Sequence, residues 1–155
     1  MKPAQVRLYI DADLLGLAKI LVQLRSDVTF PGDPGGVIHK RERPPCPIAS
    51  TAVPDAVWIR EVSSRGWLIV TRDSRIQDHP AEIAAVLGHE ARMMALAGPE
   101  ATTAWMQLEV FMCQWRRIEA LLGIPGPFIY MATRTTLRRV RPLAAGDHFI
   151  PPPTR

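Results

Sequence analysis

The segment GWLIVTRDSRI, residues 66–76, decides the fold. Its stretch WLIV, residues 67–70, is continuously apolar, which is typical of a central parallel strand covered on both faces. The pattern PDAVWIREVSSRG before it predicts a helix, because proline stands near its start and glycine just past its end. Asp73 follows the strand between Arg72 and Arg75. We therefore expect a buried strand that ends in a carboxylate flanked by two cations.

The same order of strand and helix continues on both sides of this segment. Upstream, VRLYID at 6–11 predicts a strand, apolar residues spaced from Leu14 to about Ser26 predict a helix, and DVTF at 27–30 predicts a second strand. A strand, helix and strand joined this closely form a parallel βαβ unit. Downstream we expect a helix at 80–90, a strand at 92–96, a longer helix from Pro99 to Gly123 and a strand in PFIYMAT. The fold class is therefore α/β.

Two segments carry no clear period. Residues 31–53 contain PGDPGG and RERPPCP, which predict a Pro/Gly-rich loop, and loops of this length are usually functional. Residues 134–155 predict a basic C-terminal strand or tail. The stripe of apolar residues in the long helix, centred on Trp115, packs either on the sheet or at a dimer contact, and a homodimer is expected.

Composition limits the class of protein. The chain has 155 residues, 47% of them apolar and 22% charged, which fits a single domain over 1–155 and argues against a disordered chain. No apolar stretch is long enough to span a membrane, and the N-terminus lacks a signal-peptide pattern, so a cytoplasmic protein is expected. Of the 19 basic residues 16 are arginine, which favours a partner rich in phosphate.

Three aspartates stand at corresponding places. Asp11 ends the first strand, Asp73 ends the third, and Asp55 opens the helix that leads into that third strand. Ligands of parallel sheets bind beyond the carboxyl ends of the strands, so we expect the three carboxylates to converge there. Carboxylates that converge need a cation, and oxygen ligands suit Mg²⁺ or Mn²⁺. The chemistry implied is phosphodiester hydrolysis, with Arg72 and Arg75 holding the substrate backbone.

The motifs YIDADLL, PDAVWIREVSSRGWLIVTRDSRI and HPAEIAAVL, over about residues 6–97, resemble the compact branch of PIN-like domains, which includes ribonuclease toxins of the VapC kind. The resemblance implies a three-layer α/β/α sandwich with a short, mostly parallel sheet, cleavage of RNA with Mg²⁺ or Mn²⁺, and a cognate antitoxin. By motif match Asp11, Asp55 and Asp73 are the catalytic and metal-binding acids, and Thr71 is the hydroxyl that orients an acid. The fourth acid is open between Asp13 and Asp78, with Asp13 ranked first.

Other interpretations remain open at the level of sequence. Asp55 could favour a helix start, Asp11 could hydrogen-bond the next turn, and Asp73 could form a surface ion pair. The chain could also be an inactive PIN-like module that binds RNA or protein. The DxD in IDADLL resembles the nucleophile motif of haloacid-dehalogenase-type phosphatases, but Leu15 departs from that pattern and no later lysine completes it.

Overall fold

A mostly parallel sheet forms the centre of the molecule in the computed structural model, which describes residues 1–72 and 80–141. The spatial order of its six strands is β3 (Val28–Thr29), β2 (Leu8–Ile10), β6 (Leu68–Thr71), β7 (Arg92–Leu96), β8 (Phe128–Ala132) and β9 (Leu137–Arg141). In this order, the first five strands pair in parallel, and the last strand, β9, pairs antiparallel with β8. The predicted α/β class is confirmed.

Helices cover both faces of this sheet. They are α1 (Leu15–Leu24), α2 (Asp55–Ser64), α3 (Pro80–Gly88), α4 (Ala104–Cys113) and α5 (Trp115–Leu121). One apolar core joins α1, α4 and α5 to the side of β2 that carries Leu8 and Ile10. A second core joins α2 and α3 to the side that carries Tyr9. Since alternate residues of a strand face opposite layers, the result is the three-layer α/β/α sandwich that the sequence resemblance implied.

The central strand β6 explains why its sequence has no polar alternation. Leu68, Ile69 and Val70 are each 0% exposed, because α-helices pack against both of their faces. Full burial of such a side chain contributes about 1.5–3 kcal/mol. The strand is therefore held firmly, and so are the polar residues that stand at its carboxyl end.

The segment 31–53 differs from the continuous loop expected of it. It contains the strands β4 (Gly36–Ile38) and β5 (Arg41–Arg43), and β5 also pairs with β1 (Lys2–Pro3) to make a separate three-stranded sheet. The two-residue turn between β4 and β5 has positive φ at His39 (49°) and Lys40 (60°), as a type I′ hairpin requires. This turn usually carries Asn-Gly, and His39-Lys40 does not match that pattern, so a hairpin was not predicted.

A buried ion pair fixes this hairpin against the main sheet. The Arg43 guanidinium hydrogen-bonds the Asp33 carboxylate and also donates to the Val28 carbonyl of β3 at 3.2 Å. Asp33 accepts further hydrogen bonds from the Thr29 hydroxyl at 3.1 Å and from the Gly35 backbone at 2.9 Å. Arg43 thereby satisfies one backbone carbonyl of the edge strand β3, where unpaired groups could otherwise pair with another chain.

The long helix expected from Pro99 to Gly123 also differs, because a 3₁₀ turn (Pro99–Ala101) precedes α4 and an interruption at Gln114 separates α4 from α5. Gln114 is fully buried, and its side-chain amide donates to the carbonyl of Thr133 at 2.8 Å. The apolar stripe packs on the molecule's own core, where Trp115 is partly buried and the Arg25 guanidinium lies 3.8 Å above its ring. Packing on the sheet side is thus the placement observed.

The basic C-terminal segment is described in part. Its first portion contains the edge strand β9. Residues 142–155 lie outside the described part of the chain. No helix within 1–72 and 80–141 has the length and apolar character that crossing a bilayer requires.

Candidate active site

Asp11 stands at the carboxyl end of β2, where its backbone N–H donates to the Val70 carbonyl of β6 at 2.9 Å. One of its carboxylate oxygens, Oδ1, accepts the Ala12 backbone N–H at 2.6 Å and so caps the 3₁₀ turn that leads into α1. The ordinary interpretation of Asp11, a hydrogen bond to the next turn, is therefore correct. The second oxygen, Oδ2, takes a different partner, which brings another acid into the site.

Thr71 joins two carboxylates at the end of β6. Its buried hydroxyl Oγ1 lies 3.0 Å from Asp11 Oδ2 and 3.1 Å from Asp13 Oδ2. A hydroxyl has one proton to donate, so the two acids share it. Asp13 also accepts the Arg72 backbone N–H, at 3.2 and 3.3 Å from its two oxygens. The structure therefore places Asp13 beside Asp11, whereas its rival as the fourth acid, Asp78, lies outside the described residues.

Asp55 is the first residue of α2, but it does not cap that helix. The N-cap is Pro54, which offers no side-chain hydrogen bond. Instead Asp55 Oδ1 accepts the indole N–H of Trp58 at 2.8 Å. An acid in the first turn is still favoured by the helix dipole, by about 0.3–1 kcal/mol. The carboxylate is exposed at the carboxyl edge of the sheet, as the order of helix and strand in the sequence predicted.

Tyr9 is almost fully buried and interacts electrostatically with both Asp11 and Asp55. Its ring stacks on Trp58 with centroids 5.2 Å apart and an interplanar angle of 26°. Burial raises the pKa of Tyr9 far above its usual range, and the negative charges of Asp11, Cys46 and Asp55 add to the effect. Two of the three predicted acids therefore act on one phenol, and the structure brings them to the same edge of the sheet.

The surroundings of Asp11 disfavour the ionised form of its carboxyl group. Burial, followed by the charge of Asp13, raises the pKa of Asp11 to about 6, and the charge of Asp55 contributes further. Hydrogen bonds from Ala12 and Thr71 oppose the shift without cancelling it. A carboxylate with neighbouring like charges is stabilised when a cation binds. This is the electrostatic pattern of a site that accepts a positive ion.

The donor chemistry fits a divalent ion such as Mg²⁺ or Mn²⁺. Asp11, Asp13 and Asp55 supply carboxylate oxygens, the ligands that these ions prefer. Within 1–72 and 80–141, however, no three acidic, histidine or cysteine side chains are grouped closely enough to hold a metal by themselves. The third predicted ligand, Asp73, and the predicted substrate contact Arg75 both lie outside those ranges. The ligand set predicted from the sequence therefore extends beyond the described residues.

Arg72 makes a contact that the sequence did not predict. Its Nε donates at 2.7 Å to the carbonyl of Ala101, which also accepts the buried side-chain amide of Gln107 at 2.9 Å. The guanidinium is thus tied to the turn before α4. Gln107 stands on the core face of its helix, four residues before Phe111, and a polar residue at such a position could have indicated a buried hydrogen bond.

The role of Trp58 was also missed, since a tryptophan on an apolar helix face is most simply a core residue. The available signal was spacing: residues three apart lie on one helix face, so Trp58 was bound to stand near Asp55. A buried indole N–H needs an acceptor, and the acid is the nearest candidate in the sequence.

Comparisons with known proteins add one finding. A family model described as "PIN like domain" matches residues 7–98, a range that includes Asp11, Asp55 and Asp73. No curated protein and no solved structure matches the chain.

Proposed function

Because this chain belongs to the PIN-like domain family, which has a nuclease-type fold, we propose that it is a divalent-metal-dependent endoribonuclease that hydrolyses RNA phosphodiester bonds. The observation that supports this most directly is the crowding at Asp11. Asp11 shares the Thr71 hydroxyl with Asp13, and the pKa of Asp11 is raised to about 6 by burial and by the charges of Asp13 and Asp55. Like-charged neighbours are unfavourable to a purely structural carboxylate, and a bound cation would stabilise them.

In the proposed site Asp11, Asp55 and Asp73 hold the ion, with Asp13 as a further oxygen donor. When bound, Mg²⁺ or Mn²⁺ supplies a charge that polarises a phosphoryl oxygen and lowers the pKa of water. Thr71 keeps the Asp11 carboxylate oriented by donating to its Oδ2. The 3₁₀ turn fixes the other oxygen through the Ala12 N–H. Near neutral pH most Asp11 is ionised and able to act as a ligand, since its pKa is about 6.

Arginine is proposed to hold the RNA backbone. Arg72 is exposed and anchored through Nε, and its terminal N–H groups are proposed to bind a phosphate. An anchored guanidinium loses less freedom on binding and suits the planar geometry of phosphate. Arg75 has the same predicted role.

The two other interpretations from sequence make different demands. A phosphatase of the DxD kind needs Asp13 as a proton donor over its substrate, whereas Asp13 here is held by Thr71 and by the Arg72 backbone. An inactive module that binds RNA or protein gains nothing from carboxylates that repel a phosphate. Both interpretations are separated from the proposal by a cleavage assay.

That assay incubates single-stranded and structured RNA with the purified protein in Mg²⁺, Mn²⁺ or a chelator. Cleavage is expected with either metal and not with the chelator. Asp11→Asn, purified identically, is expected to lose at least about 100-fold in rate, the order of effect of a lost catalytic electrostatic contact. Glu61→Gln, on the exposed side of α2, is the control and keeps full activity. RNA binding without cleavage by the parent protein would favour the inactive module instead.

Two partners are proposed with this function. The resemblance to VapC-type toxins suggests an antitoxin, for which a small upstream gene encoding a DNA-binding protein would be direct support. A homodimer is the second. Because the Trp115 stripe packs on the core, a dimer contact would use the exposed apolar residues of α4, Trp105 (78% exposed) and Met112 (66% exposed). Sedimentation of the parent and of Trp105→Ser tests that contact.

A further inference from the structure

Trp58 donates a hydrogen bond to Asp55, and its ring stacks on Tyr9, which lies two residues before Asp11 on β2. We propose that it is a positioning residue, whose indole N–H fixes the Asp55 carboxylate in the orientation that binds the metal. The inference rests on the proposed function, and it assigns a role to a side chain that sequence reasoning treated as ordinary core. Trp58 itself touches neither metal nor RNA.

The hydrogen bond is specific to one oxygen. Trp58 Nε1 donates to Asp55 Oδ1 at 2.8 Å, while Oδ2 has no hydrogen-bond donor among the residues described. Asp55 is exposed in the first turn of α2, so without this donor its side chain is able to rotate toward solvent. The N–H therefore selects one rotamer and leaves Oδ2 for a ligand.

The indole is itself held in place. Trp58 is 3% exposed, and its ring stacks on Tyr9, which is 1% exposed. Tyr9 lies two residues before Asp11, so both point to the same side of β2. Two buried rings, one on α2 and one on β2, therefore fix the position of Asp55 relative to Asp11.

An ordinary core tryptophan makes a different prediction. Such a residue contributes through its apolar ring, and phenylalanine replaces much of that contact without the N–H. A positioning tryptophan needs the N–H itself. Loss of a residue that orients a metal ligand typically costs 10- to 100-fold in metal affinity.

The test is Trp58→Phe in the full chain, which keeps an aromatic ring against Tyr9 and removes the donor. Mn²⁺ binding is measured by calorimetry, and RNA cleavage is measured across Mn²⁺ concentrations. The dissociation constant for Mn²⁺ should rise by about 10-fold or more. The rate should recover at high Mn²⁺, with the KM for RNA unchanged. Trp67→Phe is the matched control, because Trp67 packs partly buried against the same core and its ring lies beneath the Arg65 guanidinium. It should keep the parent's Mn²⁺ affinity.

Two further measurements keep the proposal falsifiable if the variant folds poorly. In the metal-free parent, the Trp58 indole N–H resonance should shift on Asp55→Ala, while the resonances of the other three of the four tryptophans should stay in place. In an Asp55→Ala background, adding Trp58→Phe should leave Mn²⁺ affinity unchanged, since the residue acts through Asp55.

The proposal is overturned if Trp58→Phe binds Mn²⁺ within twofold of the parent, or if the Trp58 resonance ignores the loss of Asp55. A parent protein that neither binds Mn²⁺ nor cleaves RNA would overturn the proposed function and the metal role of Trp58 together. The indole resonance would still decide whether Trp58 holds Asp55.

Discussion

Two aspartates, one at each end of the sheet, have opposite electrostatic surroundings. At the carboxyl end, Asp11 has Asp13 and Asp55 as charged neighbours. At the amino end, Asp27 stands just before β3 and is bound by two arginines. Arg7 reaches it through Nε at 3.2 Å and Nη2 at 2.8 Å, and Arg25 reaches it at 2.9 and 2.8 Å.

The two pKa values shift in opposite directions as a result. Burial works against the charge of both carboxylates. At Asp27 the hydrogen bonds and charges of Arg25 and Arg7 outweigh burial and lower the pKa. At Asp11 further negative charge adds to burial and raises the pKa to about 6. Asp27 is thus a structural ion pair with two arginines, whereas Asp11 is surrounded by like charges, and the proposed metal site rests on this difference.

Removal of Asp27 should have the largest effect on stability, and it tests the structural role of the ion pair at the amino end of the sheet. Asp27→Ala leaves Arg7 and Arg25 at the surface of the core without their shared anion. Breaking a buried pair typically costs 3–5 kcal/mol, and because the two arginine side chains are 37% and 29% exposed, solvent recovers part of this. We expect a loss of about 3 kcal/mol in the free energy of unfolding, measured by urea denaturation near neutral pH.

The control for that variant is an ion pair of nearly the same length on the surface. Glu61 and Arg65 lie 2.9 Å apart, but both side chains are more than 40% exposed (42% and 45%). Glu61→Ala should change the free energy of unfolding by under about 0.5 kcal/mol. Equal losses for Glu61→Ala and Asp27→Ala would show that burial of the pair does not matter.

Replacement of Asp11 should act in the opposite direction. Its pKa of about 6 in the folded protein exceeds the ordinary 3.8, so the folded state holds the proton more tightly. The stability from that proton is present below about pH 4 and is lost as the pH rises through about 6. Two units correspond to about 3 kcal/mol, which solvent screening reduces to about 2 kcal/mol. Asp11→Asn should therefore be about 2 kcal/mol more stable than the parent near pH 8.

The pH dependence separates this explanation from a general effect of the substitution. Near pH 4 the parent carboxyl is largely protonated, so Asp11→Asn and the parent should unfold at similar urea concentrations. Thermal or urea unfolding at several pH values from about 4 to 8 measures the difference. A variant less stable than the parent at high pH would show that Asp11 is structural, like Asp27.

Most of the fold was predictable because its elements have strong periods. The continuous apolar run in β6 and the spaced apolar residues of α1 each follow from burial of whole faces. The hairpin in 31–53 was not predictable, since its strands have three residues each and its turn forms at His39 and Lys40 without glycine. Gln114, which stands at the break between α4 and α5, donates to the carbonyl of Thr133, a partner that local sequence does not indicate.

The sequence predicted where the site lies, but it did not predict most of the hydrogen bonds between its side chains. Topology alone put Asp11 and Asp55 at one edge, because strands and helices of a parallel sheet begin and end there. The shared Thr71 hydroxyl was expected only from a family motif. The contact from Trp58 to Asp55, and that from Arg72 to Ala101, depend on side-chain rotamers, which no sequence pattern specifies.

Addition of Mg²⁺ or Mn²⁺ should stabilise the folded protein in a way that requires Asp11 and does not require Asp27. A ligand that binds the folded state stabilises it by RT ln(1 + [L]/Kd), which is about 1.4 kcal/mol at ten times Kd. The parent protein and Asp27→Ala should both gain this stability in calorimetric unfolding, because the acidic end is intact in each. Asp11→Asn should gain little. A metal-dependent gain that survives Asp11→Asn would place the ion elsewhere.

The smallest expected effect is that of replacing Arg72. This variant tests whether the carboxyl end of the sheet also contacts RNA. Arg72→Ala keeps the backbone N–H that holds Asp13 and removes the guanidinium that donates to Ala101. One hydrogen bond of this kind contributes about 1 kcal/mol, so stability should fall by that amount or less. If the guanidinium also binds phosphate, the KM for RNA should rise by roughly fivefold, a similar free energy, and the salt dependence of RNA binding should weaken. Arg72→Lys keeps the charge but not the planar donor, so it should restore the salt dependence and only part of the affinity. An unchanged KM in Arg72→Ala would limit Arg72 to joining β6 with the turn before α4.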